Sequence, residues 1–206
     1  MKKTLMVLMM VLIVAMLIVS CDNKAEEPEG FHVGGKGPAG GIIFYDCDAD
    51  NNDENEGAGP DGLKSSVCGW RYLEAATEDV GSYKWRADGA TTSYGTKDGI
   101  GEGHNNTHTV LKNVGITGFP AAEACVNYKG GGYTDWFLPS REEIAEMHKY
   151  KVEIGVVEST DAEKVCYWSS SEFGTAAWGE EFANSARDYS GKRTESLLVR
   201  PVRYFK

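Results

Sequence analysis

The chain has 206 residues, is 41% hydrophobic and 11% aromatic, and carries a formal net charge of −10 at pH 7. A net negative charge of this size gives no excess of positive charge to bind nucleic acid, and it disfavours polyanionic sugars as partners. Beyond an N-terminal leader and tether, about 175 residues remain, which fits one globular domain with a core of its own.

The N-terminus has the features of a bacterial lipoprotein signal. Lys2 and Lys3 precede Leu5–Val19, an unbroken apolar run of fifteen residues. The run is short for a membrane-spanning helix of about 20 residues and suits a signal peptide. Because it ends in IVSC, we expect residues 1–20 to be cleaved and Cys21 to be lipidated. The alternative is an ordinary secretory signal with a chance cysteine.

The lipid anchor has consequences for charge and location. Loss of Lys2 and Lys3 with the leader changes the net charge from −10 to −12, and several acyl chains on one cysteine, palmitate among them, hold a protein stably on a membrane. Residues 21–30 form a polar tether that reaches at most about 30 Å, so residues 31–206 are expected as a single domain near the membrane. We expect an exported protein of the cell envelope, with the outer membrane or cell surface favoured over the inner membrane.

An acidic segment follows the first predicted strand, Gly40–Asp46. Oxygen-bearing side chains alternate along this segment as in an EF-hand loop, at Asp46, Asp48, Asp50, Asn52 and Glu54. Calcium takes six to eight such oxygens, so a calcium site is predicted here. However, Asn51 replaces the usual glycine and Gly57 the expected glutamate, and the alternative is a solvated acidic insertion. No cofactor is required, and calcium is the one candidate.

The middle of the chain carries the candidate ligand-binding residues. A second strand is predicted at Gly69–Ala76, and Ser82–Gly118 is predicted as a long loop region, which is usually functional or mobile. Aromatic and arginine side chains are the usual anchors of interfaces, and four are proposed as ligand contacts: Trp85, Arg86, Tyr94 and Tyr189. The alternative, that such aromatics belong to the core, is stronger for Trp178 than for Trp85.

The segment HNNTH places His104 and His108 at the spacing of a helical zinc pair. Its Gly- and Asn-rich surroundings do not predict a helix, and the spacing places no acidic third ligand. Zinc is therefore disfavoured here, because structural zinc sites use four ligands.

Two helices are predicted. The first is Phe119–Gly132, with a proline near its start and glycines past its end. The second begins within DWFLPSREEIAEMH, where Ser140 and Glu143 have the spacing of a capping box. This segment is therefore interpreted as a strand end, a proline stop and a capped helix rather than a catalytic cluster, with His148 on the exposed side of the helix.

The C-terminal part is predicted to be mainly β-structure. CYWSSSE and AAWGEEF are predicted strands, NSARDYSGK a turn, and SLLVRPVRYF a closing strand. Pro201 cannot donate to a ladder, so a bulge or an edge is expected there.

Export makes disulfides chemically available to the four cysteines that follow Cys21. Of the three pairings, we favour Cys47–Cys68 with Cys125–Cys166. The first would close a loop of about 20 residues and stabilise by roughly 3 kcal/mol, and the second would join a helix to a distant strand. Free buried thiols are the alternative for the second pair.

Three motifs in this order, DWFLPSREEIAEMH, YWSSSE and VRPVRYF, resemble the C-terminal domain family of the Legionella collagen-like protein. VGGKGPAGGIIFYD and GWRYLEAAT are further similar to spirochaete-type surface lipoproteins that carry this domain. The resemblance covers about Val33 to Phe205. It implies a C-type-lectin-like α+β fold, with a small twisted antiparallel sheet, two helices and long loops.

The resemblance also implies a non-enzymatic binding or adhesion role at the cell surface, with an extracellular protein or glycan as partner. The family's founding protein is associated with glycosaminoglycan binding and trimerises beside a collagen-like stalk. This chain has no Gly-X-Y array and is acidic, so neither property is carried over. One alternative is a structural envelope lipoprotein without a soluble ligand. The other is an enzyme, because formylglycine-generating enzymes share a related scaffold. Those enzymes use a reactive cysteine pair near the C-terminus.

Overall fold

Two β-sheets with helices packed against them carry the fold of the chain. The computed structural model describes residues 30–49, 69–115, 118–156, 165–182, 187–191 and 193–206, and Phe31–Lys206 forms one compact unit. Several predictions fall outside the described residues: the leader 1–20, Cys21, Cys68, Asp50, Asn52 and Glu54.

The described elements alternate between sheets and helices along the chain. In order they are β1 (Ile42–Asp46), β2 (Tyr72–Ala75), β3 (Gly81–Lys84), α1 (Gly103–Val114), α2 (Pro120–Asn127), the short 3-10 helix Gly130–Gly132, α3 (Arg141–His148), β4 (Cys166–Phe173), β5 (Ala176–Glu181), β6 (Arg187–Gly191), β7 (Ser196–Val199) and β8 (Val202–Phe205). The α+β class is confirmed. Three α-helices are described where two were predicted.

The strands form one three-stranded and one five-stranded sheet. The first has the order β1-β2-β8 and the second β3-β7-β4-β5-β6. All neighbours pair antiparallel except β4 and β7, which are parallel at Tyr167 and Leu198. In the described part of the chain, no helix is long and apolar enough to cross a membrane.

Two hydrophobic clusters fill the unit. One contains Phe44, Leu73 and Val202 of the three-stranded sheet together with Ile144 and Met147 of α3. The other joins the five-stranded sheet to α1 and α2, and its buried side chains include Trp85, Val110, Phe119, Cys125 and Trp168. The helices therefore bury their apolar faces against sheets, as amphipathic helices do.

The predicted loop Ser82–Gly118 contains most of β3 and the twelve-residue helix α1, so that prediction was wrong. The asparagines and threonines of α1 have low helix propensity, and tertiary contacts override it. The Asn106 amide group accepts from the Lys97 amide at 2.9 Å and donates to its carbonyl at 2.7 Å. Thr107 Oγ1 accepts from the amide of Leu138 at 3.0 Å.

The closing segment was predicted as one strand with a bulge or an edge at Pro201. The strand is interrupted there, but the prediction of a single strand was wrong. It divides into β7 and β8, which belong to different sheets. Arg200, at the division, is buried and donates to the carbonyls of Ala76 and Ile154 and to Asp79. The predicted turn NSARDYSGK is likewise corrected, because residues 187–191 form β6.

The capping box of α3 is confirmed. The amide of Glu143 donates to Ser140 Oγ at 3.2 Å, and the amide of Ser140 donates to the Glu143 carboxylate at 2.8 Å. The prediction for His148 was wrong, because this side chain is buried against the ring of Phe182, with centroids 4.7 Å apart. Burial lowers the pKa of His148, with the nearby Lys151 charge acting in the same direction.

Candidate ligand-binding groove

A groove of about 450 Å³ lies between β3 and α2 and opens to solvent. It combines aromatic, acidic and amide side chains with a few small apolar ones. Its lining consists of Val80, Tyr83, Pro120, Glu123, Ala124, Asn127 and Tyr128. Concave sites that join apolar surface to a few polar groups are the usual form of ligand pockets.

One wall of the groove comes from β3, whose side chains alternate between two environments. Tyr83 is half-buried and packs against the second hydrophobic cluster, whereas Ser82 and Lys84 are exposed. The Tyr83 hydroxyl donates to the carbonyl of Val80 at 3.1 Å. This bond holds the ring in place through its hydroxyl and does not involve the face of the ring.

The other wall comes from α2, which begins at Pro120. Proline suits the first helical position, because an N–H there would have no partner within the helix. Ala121, Ala122 and Cys125 are buried on its inner face. Glu123 and Asn127 are four residues apart, so they share a face of the helix, and both line the groove.

Tyr128 closes the end of the groove and is held from two sides. Its ring packs edge-to-face against Trp136 at 5.1 Å between centroids, and its hydroxyl donates to Glu78 Oε1 at 3.5 Å. Trp136 in turn donates its indole N–H to the carbonyl of Gly130 at 3.2 Å. Two fixed rings, the Glu123 carboxylate and the Asn127 amide therefore line one surface, and Glu78 is bound to the Tyr128 hydroxyl. These carboxylates favour neutral or cationic ligand groups over anionic ones.

Two of the sequence-predicted ligand contacts are corrected by the structure. Trp85 is 2% exposed and donates its indole N–H to the carbonyl of Ser169 at 2.8 Å, and Arg86 is 5% exposed. The Arg86 guanidinium lies over the rings of Tyr94 and Phe119 and forms a pair with Asp88. Both side chains thus serve packing.

The remaining two predicted contacts have different outcomes. Tyr94 is half-buried, edge-to-face against Phe119, and its backbone amide donates to the carboxylate of Glu172 at 2.9 Å. Tyr189 lies on β6, but its side chain is outside the described part of the chain. The expected ranking of Trp85 and Trp178 is reversed, because Trp178 is half-exposed and Trp85 is buried.

The segment that contains Tyr94 is held by a buried ion pair. Arg193 donates to Glu172 at 2.9 Å and to the carbonyl of Thr92 at 2.8 Å. The second oxygen of Glu172 accepts from the amides of Tyr94 and Thr96. The polar groups of this pair are therefore used internally.

The predicted calcium loop is described only at its start. Both oxygens of Asp46 accept from Arg71 at 3.0 Å, and one also accepts from the amide of Asp48 at 2.9 Å. Because Asp50, Asn52 and Glu54 lie outside the described residues, calcium binding stays a prediction. Within the ranges that the structure describes, no group of three or more metal-ligating side chains occurs.

The cysteines require one correction. Cys125 is a free thiol, fully buried in the second hydrophobic cluster, so the predicted Cys125–Cys166 disulfide was wrong. Burial raises the pKa of the Cys125 thiol well above its usual value, which suits a packing role and not a nucleophile. Cys47 donates its thiol to the carbonyl of Trp70 at 3.2 Å, and its predicted partner Cys68 lies outside the described residues.

The groove residues Tyr83, Glu123, Asn127 and Tyr128 were missed by sequence reasoning. One signal was present, since Glu123 and Asn127 share a face of a helix that was itself predicted. Their juxtaposition with Tyr83, at least forty residues earlier in the chain, depends on tertiary packing. No model of a known protein family matches the chain, and a search of curated proteins finds no match.

Proposed function

We propose that this chain is a lipid-anchored binding module of the cell envelope that holds its ligand without catalysis. The groove between β3 and α2 carries the proposal, because its two tyrosine side chains are fixed by a hydrogen bond and by ring packing while the groove opens to solvent. Rigid, preorganised surfaces lose little entropy on binding. A C-type-lectin-like arrangement of the two sheets and three helices belongs to the same proposal.

We propose a glycan without anionic groups as the ligand. Sugar rings present C–H faces that pack on aromatic rings, and their hydroxyls can donate to carboxylates and both donate to and accept from amides. Tyr83 and Tyr128 supply the rings, and Glu123 and Asn127 the polar partners. The acidic side chains disfavour sulfated or carboxylated sugars, as does the net charge of the chain.

The envelope location rests on the sequence of the N-terminus. The basic start, the apolar run and IVSC at Cys21 support lipidation and anchoring. A ligand outside the cytoplasm could reach the groove, because the groove opens to solvent. The outer membrane or cell surface is the proposed destination. No nucleic acid partner is proposed, because the chain lacks a basic excess.

Glycan and protein arrays probed with the soluble part of the chain, residues 22–206, test this function. We expect binding to neutral glycans, and Asn127→Ala and Glu123→Gln should each weaken it about tenfold. Lys84→Ala is the matched control, since Lys84 is exposed on β3 and does not line the groove. A folded protein that binds nothing on either array would favour a structural envelope lipoprotein. Binding only to proteins would show that the ligand is a protein and not a glycan.

A further inference from the structure

The histidine pair His104 and His108 lies on α1, although the surrounding residues predicted no helix. The side chains are one turn apart, and their ring centroids are separated by 4.3 Å with a 59° angle between the ring planes. His108 is exposed and His104 half-buried. The helix therefore brings two imidazoles together at a solvent-accessible surface.

This separation is compatible with two imidazoles on neighbouring positions of one metal ion. With metal–nitrogen bonds of about 2.0–2.1 Å and a right angle at the metal, the ring centroids would lie about 4.5 Å apart. Histidines four residues apart on a helix are the ligand arrangement of several zinc enzymes. The pair thus needs little rearrangement to chelate.

The surroundings of His104 restrict the position of its ring. The ring packs against Phe137 at 5.6 Å and Tyr204 at 6.2 Å between centroids. A ring that is already packed loses less side-chain freedom when it binds a metal ion.

Among the described residues, the same region supplies two protein ligands rather than three. Asp135 is the nearby acidic residue, but its two oxygens accept from Arg203 at 2.9 Å each. Water would occupy the other coordination positions. A two-nitrogen site with several waters suits late first-row divalent cations, for which affinity increases from cobalt through nickel to copper and is lower again for zinc.

We infer that His104 and His108 form a chelating site for a late first-row divalent cation on the surface of α1. The site is separate from the groove, since neither histidine lines it. It differs from the predicted calcium loop in ligand chemistry, because imidazole nitrogens do not suit calcium. It also differs from a structural zinc centre, which is closed by four protein ligands.

Calorimetric titration of the full-length chain in detergent with NiCl2 tests the site. We expect one Ni²⁺ per chain, and His108→Asn should weaken binding about 100-fold, because a chelate becomes a single imidazole. His108 is exposed, so its loss leaves the packing of α1 intact. His32→Asn is the matched control for an exposed histidine elsewhere and should leave the affinity unchanged. Unchanged affinity in His108→Asn would overturn the inference.

A rescue experiment tests the geometry of the pair. Lys112 is exposed and four residues after His108 on α1, so Lys112→His would rebuild a pair one turn further along. His104→Asn alone should lose the Ni²⁺ affinity, and His104→Asn with Lys112→His should recover it. Cu²⁺ should bind more tightly than Ni²⁺ to both pairs. A double variant no better than His104→Asn would contradict chelation.

Discussion

Some buried charged side chains are held by several partners at once. Glu143 is completely buried and accepts hydrogen bonds from the amides of Ser140 and Gly101 and from the hydroxyl of Tyr204. Through these bonds one carboxylate caps α3 and holds the segment that leads into α1. Burial raises the pKa of Glu143 to about 7, although the hydrogen bonds act in the opposite direction.

Glu143→Gln should flatten the pH dependence of stability. Because the pKa of Glu143 is raised from 4.5 to about 7 in the folded state, the folded protein binds this proton more tightly than the unfolded chain. The stability that this proton contributes is complete below the pKa of Glu143 in the unfolded chain. It is lost as the pH rises through the pKa of Glu143 in the folded protein. We expect the wild type to lose about 3 kcal/mol more than the variant over this range, measured by urea denaturation.

Glu146→Gln is the matched control on the same helix, because Glu146 pairs with the exposed Lys149 at the surface. It should retain the pH dependence of the wild type. Equal pH dependence in Glu143→Gln and the wild type would show that the folded state does not shift the ionisation of Glu143.

In the three-stranded sheet, a buried ion pair joins β2 to β8. Glu74 and Arg203 are directly opposite each other across the strands, with 3.1 Å between their charged groups. Glu74 also accepts from the amides of Ala39 and Gly41, which precede β1. Arg203 lies over the ring of Tyr133 and donates to Asp135. One cross-strand pair thus links the sheet to two neighbouring segments.

Arg203→Met should destabilise the fold by about 3–5 kcal/mol, because it leaves the Glu74 carboxylate buried without its counter-charge. Arg71→Met is the control in the same sheet region. Arg71 is 44% exposed and pairs with Asp46, so its loss should cost less than about 1 kcal/mol. Urea denaturation of both variants measures the difference, and equal costs would contradict the importance of burial for this pair.

The two sheets are connected by the passage of the chain from β7 to β8. Arg200 at this passage donates to Ala76, which follows β2, and to Ile154, which follows α3. Pro201, the next residue, lacks the N–H that would continue the hydrogen-bond ladder of the strand. The contacts of Arg200 therefore join parts of the unit that are far apart in sequence, and we expect its sheets to unfold together.

Thiol labelling of Cys125 can test this cooperativity. Cys125 is fully buried in the second cluster, so it should react only when the whole unit unfolds. Its labelling in urea should follow the far-UV circular dichroism transition, as in two-state unfolding. The Cys125→Ala variant identifies the signal among the five cysteines. Labelling at urea concentrations where the dichroism is still native would instead indicate local opening.

The sequence alone was sufficient for features that depend on neighbouring residues. Ser140 and Glu143 predicted the capping box, and the apolar and aromatic runs predicted β1, β2, β4 and β5, because the hydrogen bonds and alternation that define them span only a few positions. The lipidation proposed at Cys21 rests on an equally local pattern, a basic start followed by an apolar run and a cysteine, and it stays a prediction.

Only the tertiary structure decided which side chains are inside and which residues meet. Trp85 and Arg86 are buried because segments more than eighty residues away cover them, including Ser169 and Arg193. The buried Asn106 of α1 donates to Ser170 Oγ, 64 residues later in the chain, and the groove exists because β3 and α2 pack together. These outcomes depend on long-range burial and hydrogen bonding, which no short window of sequence contains.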